Sequence, residues 1–310
     1  MLAPSCLVAH GARLPAGPRG AVLPAFCTLR ESVAALVQDG GVLALEGFTH
    51  LIPFAAGHEI IRQQRRNLTL IRMTPDLIYD QMIGMGCAAQ LIFSWGGNPG
   101  VGSLHRFRDA IEHRWPRPIA IEEHSHADMA ARYQAGASGL PFAVVRGYVG
   151  SDLRKQNAKI KTITCPFTGE LLTATPAINP DVTFLHAQKA DRKGNVMISG
   201  IVGVQKEAAL AAKKIGVTVE EIVDDLKAPQ NACILPYWVI SHISVVPGGA
   251  HPSYTHGYYK RDNAFCKAWD EISRERETFL AWMGRHILGT ADFSEYRRSI
   301  RASGQAGCHA

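Results

Sequence analysis

The chain has 310 residues, of which 46% are hydrophobic and 19% charged, a composition that favours a globular protein with a large core. Its formal net charge is +6, yet no run of Lys and Arg exceeds two residues, which argues against nucleic-acid binding. The seven cysteines form no Cys-x-x-Cys pair and no stretch of about 20 apolar residues occurs, so we predict a reducing, cytoplasmic compartment and no membrane span.

The two ends of the chain differ from the rest. Residues 1–26 contain four prolines and no acidic residue. The prolines would break a targeting helix, so we expect a flexible N-terminal extension. Residues 298–310 are polar and are typical of a frayed C-terminal tail. A regular pattern fills the interval between them, which predicts a single domain over residues 27–297.

The first predicted element is a helix that begins after Thr28. The Thr28 side chain can accept a hydrogen bond from the backbone of Glu31, and Glu31 can return one, which is a capping box. Gly40 and Gly41 end this helix. The next elements are predicted from apolar periodicity and are strand 42–45, helix 53–66, strand 68–73, strand 89–95 and helix 104–114.

The same alternation continues through the rest of the chain, with a looser β-rich connection over residues 162–175. The predicted strands are 119–121, 142–145, 182–187, 195–199, 217–219 and 239–246, and the predicted helices are 126–137, 205–214 and 262–288. Short apolar strands that alternate with helices are typical of parallel sheets, because parallel neighbours need crossover connections. We therefore predict an α/β fold with an open, mostly parallel sheet and flanking helices.

Several motifs of known chemistry are missing from the sequence. It contains neither the phosphate-binding Gly-x-x-x-x-Gly-Lys-Ser/Thr nor the Gly-x-Ser-x-Gly of hydrolases, and it has no His-Glu-x-x-His. His124 and His126 have no companion ligand at a spacing typical of zinc sites, and neither do His251 and His256. We therefore expect no metal.

A glycine-rich loop, Gly96–Gly102, lies between a predicted strand and a predicted helix. Open α/β sheets build ligand sites beyond the carboxyl ends of their strands, and backbone N–H groups at the start of a helix can bind an anion. This position makes the loop the best candidate for ligand binding. The candidate residues are Asn98, Pro99, Gly100, Val101, Gly102 and Ser103.

Seven separated segments carry a family resemblance. They include Gly47-Phe48, Asn98-Pro99-Gly100-Val101-Gly102, Glu122-Glu123-His124-Ser125, Arg146-Gly147-Tyr148, Cys165-Pro166-Phe167-Thr168-Gly169-Glu170, His186-Ala187-Gln188-Lys189-Ala190-Asp191 and Pro247-Gly248-Gly249-Ala250-His251-Pro252-Ser253. Together, and in this order, they resemble the alpha subunit of the family I CoA-transferases of the glutaconate type. Each segment is short, so the specificity of the match comes from their order and spacing.

The resemblance implies a fold, substrates and a partner. The fold is the α/β sheet that CoA-transferases share with sugar-phosphate isomerases. The substrates are a coenzyme A thioester and a small carboxylic or dicarboxylic acid. The partner is a homologous beta subunit, whose glutamate attacks the acyl-CoA carbonyl, in a heterodimer or heterotetramer. This chain would then lack the nucleophile and shape the acyl pocket.

The resemblance also suggests roles for single residues. The loop Asn98–Ser103 would face the acyl group, Gly47 and Phe48 would line the same crevice, and Arg146 would bind a distal carboxylate bidentately. Each role has a structural alternative, since Gly47 can serve close packing alone and Arg146 can belong to a structural ion pair. Family members usually carry glycine where this chain has Glu46, whose carboxylate could repel an anionic acid, act on water or point away from the site.

Two other functions stay open on the sequence. One is an acyl-CoA hydrolase of the same fold that cleaves a ring or thioester, with Glu123 as its catalytic base. Glu123 can equally be a glutamate favoured by the positive end of the following helix, and His126 stands where the family usually has a further acidic residue. The other is a non-catalytic scaffold subunit that completes the fold of its partner.

Overall fold

The structure, a computed structural model, describes residues 23–148 and 150–302. The strands in this part of the chain are β1 Ala25–Phe26, β2 Val42–Glu46, β3 Leu68–Ile71, β4 Ala88–Phe93, β5 Ala120–Glu123, β6 Phe142–Val145, β7 Lys161–Thr164, β8 Leu171–Pro176, β9 Val182–Asp191, β10 Val196–Ile198, β11 Lys214–Val223, β12 Cys233–Leu235 and β13 His242–Val245. The α-helices are α1 Leu29–Leu36, α2 Phe54–Arg62, α3 Leu77–Gly84, α4 His105–Glu112, α5 His126–Ala137, α6 Leu153–Gln156, α7 Gln205–Ala211, α8 Asn263–Arg274, α9 Arg276–Met283 and α10 Phe293–Ala302.

The central sheet has ten strands, eight of which follow the order β1-β13-β11-β9-β2-β3-β4-β5. Each of these eight is parallel to its neighbours. β10 and β12 extend the sheet in antiparallel fashion beside the end of β9. The prediction of an open, mostly parallel sheet with flanking helices is therefore confirmed.

Strands β6, β8 and β7 form a separate antiparallel sheet, which we call the small sheet. The sequence pattern had included strand 142–145 in the parallel alternation, and the structure places it here instead. Along β6 the exposed Phe142 and Val144 flank the buried Ala143. This alternation suits a sheet with one solvated face, whereas parallel strands are buried on both faces.

Helix α3 escaped prediction, while two predicted helix starts are confirmed. All eight residues of α3 are buried, so no polar face marks it with a helical period. The Asp76 side chain caps this helix by accepting from the backbone of Ile78. The capping box of Thr28 and Glu31 is present at α1, and α5 has the predicted bounds.

Helices cover both faces of the central sheet. One face packs against α1–α4 and α8–α10, and its largest buried side chains include Trp269 and Phe279. The other face packs against α5 and α7 through Met129, Tyr133 and Ala208. Because the strands are parallel, β2, β3, β4 and β5 all end at one side of the sheet, which we call the carboxyl edge.

The ends of the domain stay predictions. The predicted extension lies, up to residue 22, outside the described residues, and β1 occupies two of its last positions. At the other end, α10 includes residues 298–302. In the described ranges, no helix combines the length and the apolar character that a membrane crossing requires.

Replacing Gly136 by Ala should destabilise the protein. A Cβ at this position of α5 would overlap the carbonyl oxygen of Ile178 and lie 3.0 Å from the Cβ of Ala211. We expect the free energy of unfolding, measured by urea denaturation, to fall by about 1–3 kcal/mol, the usual cost of overpacking. Gly284 is the matched control because it is helical with nothing within 4 Å of an added Cβ. Gly284→Ala should be neutral or slightly stabilising, and an equal loss in both variants would contradict the packing argument.

Candidate active site

A cavity of about 180 Å³ lies at the carboxyl edge, beyond the ends of β2, β3 and β4. Its walls come from the segments that follow these strands and from the segment that follows β13. The lining residues are Phe48, Thr49, Ile52, Phe54, Arg72, Thr74, Asp76, Leu77, Trp95, Pro99, Pro252, Ser253, Arg261 and Cys266. Most of the wall is apolar, with two arginines and one aspartate as the charged groups.

The segment after β2 is held in an unusual backbone conformation. Thr49 and Leu51 have φ values of 60° and 55°, in the left-handed region that side chains disfavour. Gly47 allows this path, since a Cβ there would lie 2.6 Å from the carbonyl oxygen of Leu51. Phe48 lines the cavity, whereas Gly47 acts through its backbone.

Arg72 is a buried cation in the cavity wall and is 1% exposed. Its Nη1 donates to Oδ1 of Asp76 at 2.9 Å, and its Nη2 donates to Oδ2 at 3.1 Å. Nη2 also donates to the carbonyl of Gly47 at 3.1 Å, which ties the end of β2 to that of β3. Its Nε has no hydrogen-bond partner among the described residues.

Arg261 is the second arginine of the cavity wall, and it reaches the site from the segment before α8. Its Nη2 donates to the carbonyl of Pro99 at 2.6 Å. The neighbouring Asn98 is 1% exposed and donates from Nδ2 to the carbonyl of Cys266 at 2.7 Å. These two bonds attach the glycine-rich loop to the start of α8.

The loop Asn98–Ser103 uses part of its own hydrogen-bonding capacity. The N–H groups of Val101 and Gly102 both donate to the carbonyl of Asn98, at 3.0 and 3.1 Å. The positive φ of Gly100, 77°, permits this tight turn. Pro99 lines the cavity, and the N–H groups of Gly100 and Ser103 are the loop's candidates for binding an anion.

Glu46 points away from the cavity. The residue is 2% exposed, and its Oε1 accepts from the hydroxyl of Tyr133 at 2.8 Å and from the backbone of Met73 at 3.0 Å. Tyr133 belongs to α5, on the opposite face of the sheet from α2 and α3. Burial raises the pKa of Glu46 to about 7, although nearby Arg72 lowers it. Of the three possibilities for this carboxylate, the structure therefore favours a structural role.

Glu123 and Arg146 lie outside the cavity lining. Glu123 is exposed at the end of β5, where its carbonyl accepts from Nδ2 of Asn157 at 2.8 Å. The Arg146 side chain is 78% exposed, and it forms a bidentate pair with Glu170 of the small sheet at 3.0 and 3.1 Å. The catalytic role of Glu123 and the carboxylate-binding role of Arg146 therefore stay predictions.

The two histidine pairs weighed as metal ligands contain buried, hydrogen-bonded members. His124 lies between Glu122 and Asp128, with its Nε2 3.0 Å from the first carboxylate and its Nδ1 2.8 Å from the second. Nε2 of His251 lies 3.1 Å from Oδ2 of Asp262. These carboxylates escaped the sequence reasoning because they pair with the histidines within the fold and not at a metal-site spacing.

Sequence reasoning also missed both arginines of the cavity. Arg72 immediately follows β3, and a charged residue directly after a buried strand is a signal that could have identified it. Arg261 carries no such local signal, because folding brings it to the cavity from the segment before α8. The sequence identified Phe48 and Pro99 as candidates, and both line the cavity.

Known proteins resemble this chain over most of its length. A family model described as Coenzyme A transferase matches residues 27–245. The chain is 67% identical over 273 residues to the first of the named subunits of the 3-oxoadipate CoA-transferase of Pseudomonas knackmussii, a match that covers 88% of this chain and 97% of that relative. The crystal structure of glutaconate coenzyme A-transferase from Acidaminococcus fermentans aligns with a TM-score of 0.84 and 32% identity over 90% of this chain and 93% of that one. The cholesterol ring-cleaving hydrolase IpdA subunit of Mycobacterium tuberculosis is 26% identical over 91% of this chain and 100% of its own length.

Glu46→Gln should change how the stability of the protein depends on pH. The folded-state pKa of about 7 exceeds the ordinary value of 4.5, so the folded protein keeps a proton that the unfolded chain loses. Between these values the free energy of unfolding should fall as pH rises, by at most about 3 kcal/mol, and stay level above pH 7. The neutral amide should remove this slope, as measured by urea denaturation at several pH values. The control is Glu112→Gln, at a surface glutamate paired with Arg108. Equal slopes in wild type and Glu46→Gln would contradict the assignment.

Proposed function

The chain belongs to the coenzyme A transferase family, as the alpha subunit of a heteromeric CoA-transferase, and from this premise we propose that its acid substrate is a dicarboxylate of the size of 3-oxoadipate. The observation that carries the proposal is the 67% identity to a subunit of a 3-oxoadipate CoA-transferase over 97% of that relative. The size and charge of the cavity support it independently.

The size of the cavity suits a small acyl group. Pockets for drug-sized ligands typically measure about 300–1,000 Å³, and this cavity measures about 180 Å³. It is therefore too small for a complete coenzyme A thioester. We infer that the acid portion of the substrate occupies it, while the nucleotide portion of coenzyme A lies outside, toward the partner.

The charge of the cavity suits a second carboxylate. Asp76 already neutralises Arg72 through two hydrogen bonds. Arg261 adds a further cation to the wall, where its guanidinium is bonded to the carbonyl of Pro99. An anion beside a partly buried cation gains charge-assisted hydrogen bonds. Arg261 is therefore our candidate for binding the carboxylate that does not react, in place of Arg146.

The nucleophile is assigned to the beta subunit. Among the described residues, Asp76 is the one carboxylate residue in the cavity lining, and both of its oxygens are engaged by Arg72. In the proposed reaction a glutamate of the partner attacks the thioester carbonyl, the coenzyme A thiolate leaves, and an acyl–glutamyl anhydride forms. The thiolate then attacks the glutamyl carbonyl and releases the first acid. The incoming acid takes the coenzyme A by the reverse steps.

The contribution of this chain to that reaction is to position and stabilise. Phe48 and Trp95 enclose the acyl chain, and Arg261 orients it. The developing oxyanion needs N–H donors, for which Gly100 and Ser103 of the glycine-rich loop are the candidates. A coenzyme A thioester is thus a substrate and no group of this chain attacks it. We place the complex in the cytoplasm as a heterodimer or heterotetramer.

The hydrolase alternative rests on the 26% identity to a ring-cleaving hydrolase subunit. It requires a carboxylate of this chain at the reaction centre. Glu123 lies outside the cavity lining, and the carboxylate of Glu46 bonds Tyr133 and Met73 on the other face of the sheet. The geometry therefore favours transfer over hydrolysis. A scaffold without catalytic contribution would leave the charged cavity without a purpose.

The complex with the beta subunit should transfer coenzyme A between dicarboxylic acids. We expect acid-dependent exchange when it is given coenzyme A thioesters and free acids of four to six carbons, with six-carbon 3-oxo acids used best, as followed by chromatography of the thioesters. Free coenzyme A produced without an acceptor acid would favour hydrolysis. Full turnover by the partner alone would favour the scaffold. Glu123→Gln should leave exchange unchanged, and its loss would restore the carboxylate of this chain as a catalytic group.

Arg261→Met should lower kcat/KM for dicarboxylic acids by about 10- to 100-fold, the effect of losing one hydrogen bond to a charged group. A monocarboxylic acid of equal length lacks the second anion and should change less than about threefold. The matched control is Arg146→Met, because that side chain is exposed and pairs with Glu170. An equal loss for both acids would mean that Arg261 acts through the Pro99 loop. A selective loss in Arg146→Met would transfer the role to Arg146.

A further inference from the structure

Phe167 is the most exposed large apolar side chain of the described residues, with 93% of its surface accessible. It lies at the tip of the turn between β7 and β8, Cys165–Glu170, which we call the β7–β8 turn. We propose that this turn docks onto the beta subunit, with Phe167 entering an apolar pocket of that partner. The proposal rests on the assignment of the chain to a heteromeric enzyme and not on the identity of its acid substrate.

The β7–β8 turn is held in shape by its own hydrogen bonds. The backbone of Cys165 donates to the carbonyl of Glu170 at 2.8 Å, and Gly169 donates back to the carbonyl of Cys165 at 2.9 Å. Gly169 has a φ of 71°, which a residue with a side chain would resist. Arg146 clamps Glu170 from the end of β6. A turn that is already ordered loses little entropy on binding.

The surroundings of Phe167 extend its apolar surface. Leu171 is 59% exposed at the start of β8, and Phe142 and Val144 of β6 are 45% and 46% exposed. A phenylalanine buries about 150–250 Å² when it is covered, so leaving it in water forgoes a large stabilisation. Contiguous exposed apolar groups on an otherwise ordinary surface mark interaction sites.

The path of the chain places this turn on the side of the carboxyl edge. Helix α5 begins just beyond the end of β5, where the backbone of Ser125 donates to the hydroxyl of Tyr148 at 2.6 Å. Since Tyr148 closely follows β6, that strand also ends near the carboxyl edge. β7 runs in the same direction as β6, because both are antiparallel to β8. The β7–β8 turn therefore projects on the same side as the cavity.

The beta subunit is the occupant that this position favours. Its glutamate has to reach the cavity, so its body has to lie against the carboxyl edge. At the cavity itself Trp95 is 49% exposed, and Val101 of the adjacent loop is 38% exposed. The β7–β8 turn continues this surface from the central sheet to the small sheet. A second copy of the chain has no comparable reason to lie there.

The test measures assembly directly. Phe167→Asp should raise the dissociation constant of the complex by at least about 30-fold, the effect of losing an interface hot spot, while Phe167→Leu should raise it less. The affinity is measured with purified subunits by fluorescence anisotropy, and circular dichroism confirms unchanged folding. The matched control is Leu280→Asp. Leu280 is 45% exposed on α9, whose Phe279 packs on Trp115 at the opposite edge, and this variant should bind normally.

Three results would overturn the proposal. They are an unchanged dissociation constant in Phe167→Asp, an equal loss in Leu280→Asp, and a loss of the larger assembly that leaves the pair of alpha and beta subunits intact. The last result would assign the turn to a second copy of this chain. At saturating concentrations of the partner, Phe167→Asp should regain turnover with an unchanged KM for the acid. The affinity measurement stays decisive even if no dicarboxylic acid proves to be a substrate.

Discussion

The buried ion pair between Arg72 and Asp76 determines the geometry of the site. A buried charge is tolerated only when it is paired and hydrogen-bonded, and here both aspartate oxygens are used. The pair does three things at once, because Arg72 also bonds the carbonyl of Gly47 and Asp76 also caps α3. The end of β2, the end of β3 and the start of α3 are therefore held together, and the cavity lies between them.

The same pair explains why this chain is half of an enzyme. With Asp76 committed to Arg72, the cavity retains the charge of Arg261 and has no free carboxylate among its described lining residues. Glu46 stands close in sequence, but its side chain enters the opposite layer, where Tyr133 and Met73 satisfy it. A cationic pocket without a carboxylate nucleophile can bind an acid and cannot activate its thioester. Chemistry at this edge thus depends on a carboxylate from the partner.

Polar groups elsewhere in the fold organise structure and not catalysis. Asp128 accepts from Thr175 of β8 at 2.6 Å and from Tyr148 at 3.0 Å, which fastens the small sheet to α5. His124 joins this network between Glu122 and Asp128. Such buried networks favour one arrangement because each unpaired member would cost free energy. The position of the small sheet relative to the carboxyl edge follows from them.

The sequence by itself determined the class of fold, most of the elements and the strand ends that carry the site. Apolar periodicity, the capping box at Thr28 and the glycine-rich loop are local, so they can be read without the rest of the chain. Only the tertiary structure decided that Arg261 reaches the cavity, that Arg146 pairs with Glu170 and that Glu46 faces away. These outcomes depend on which face of a strand a side chain takes and on contacts between distant segments, which no local pattern encodes.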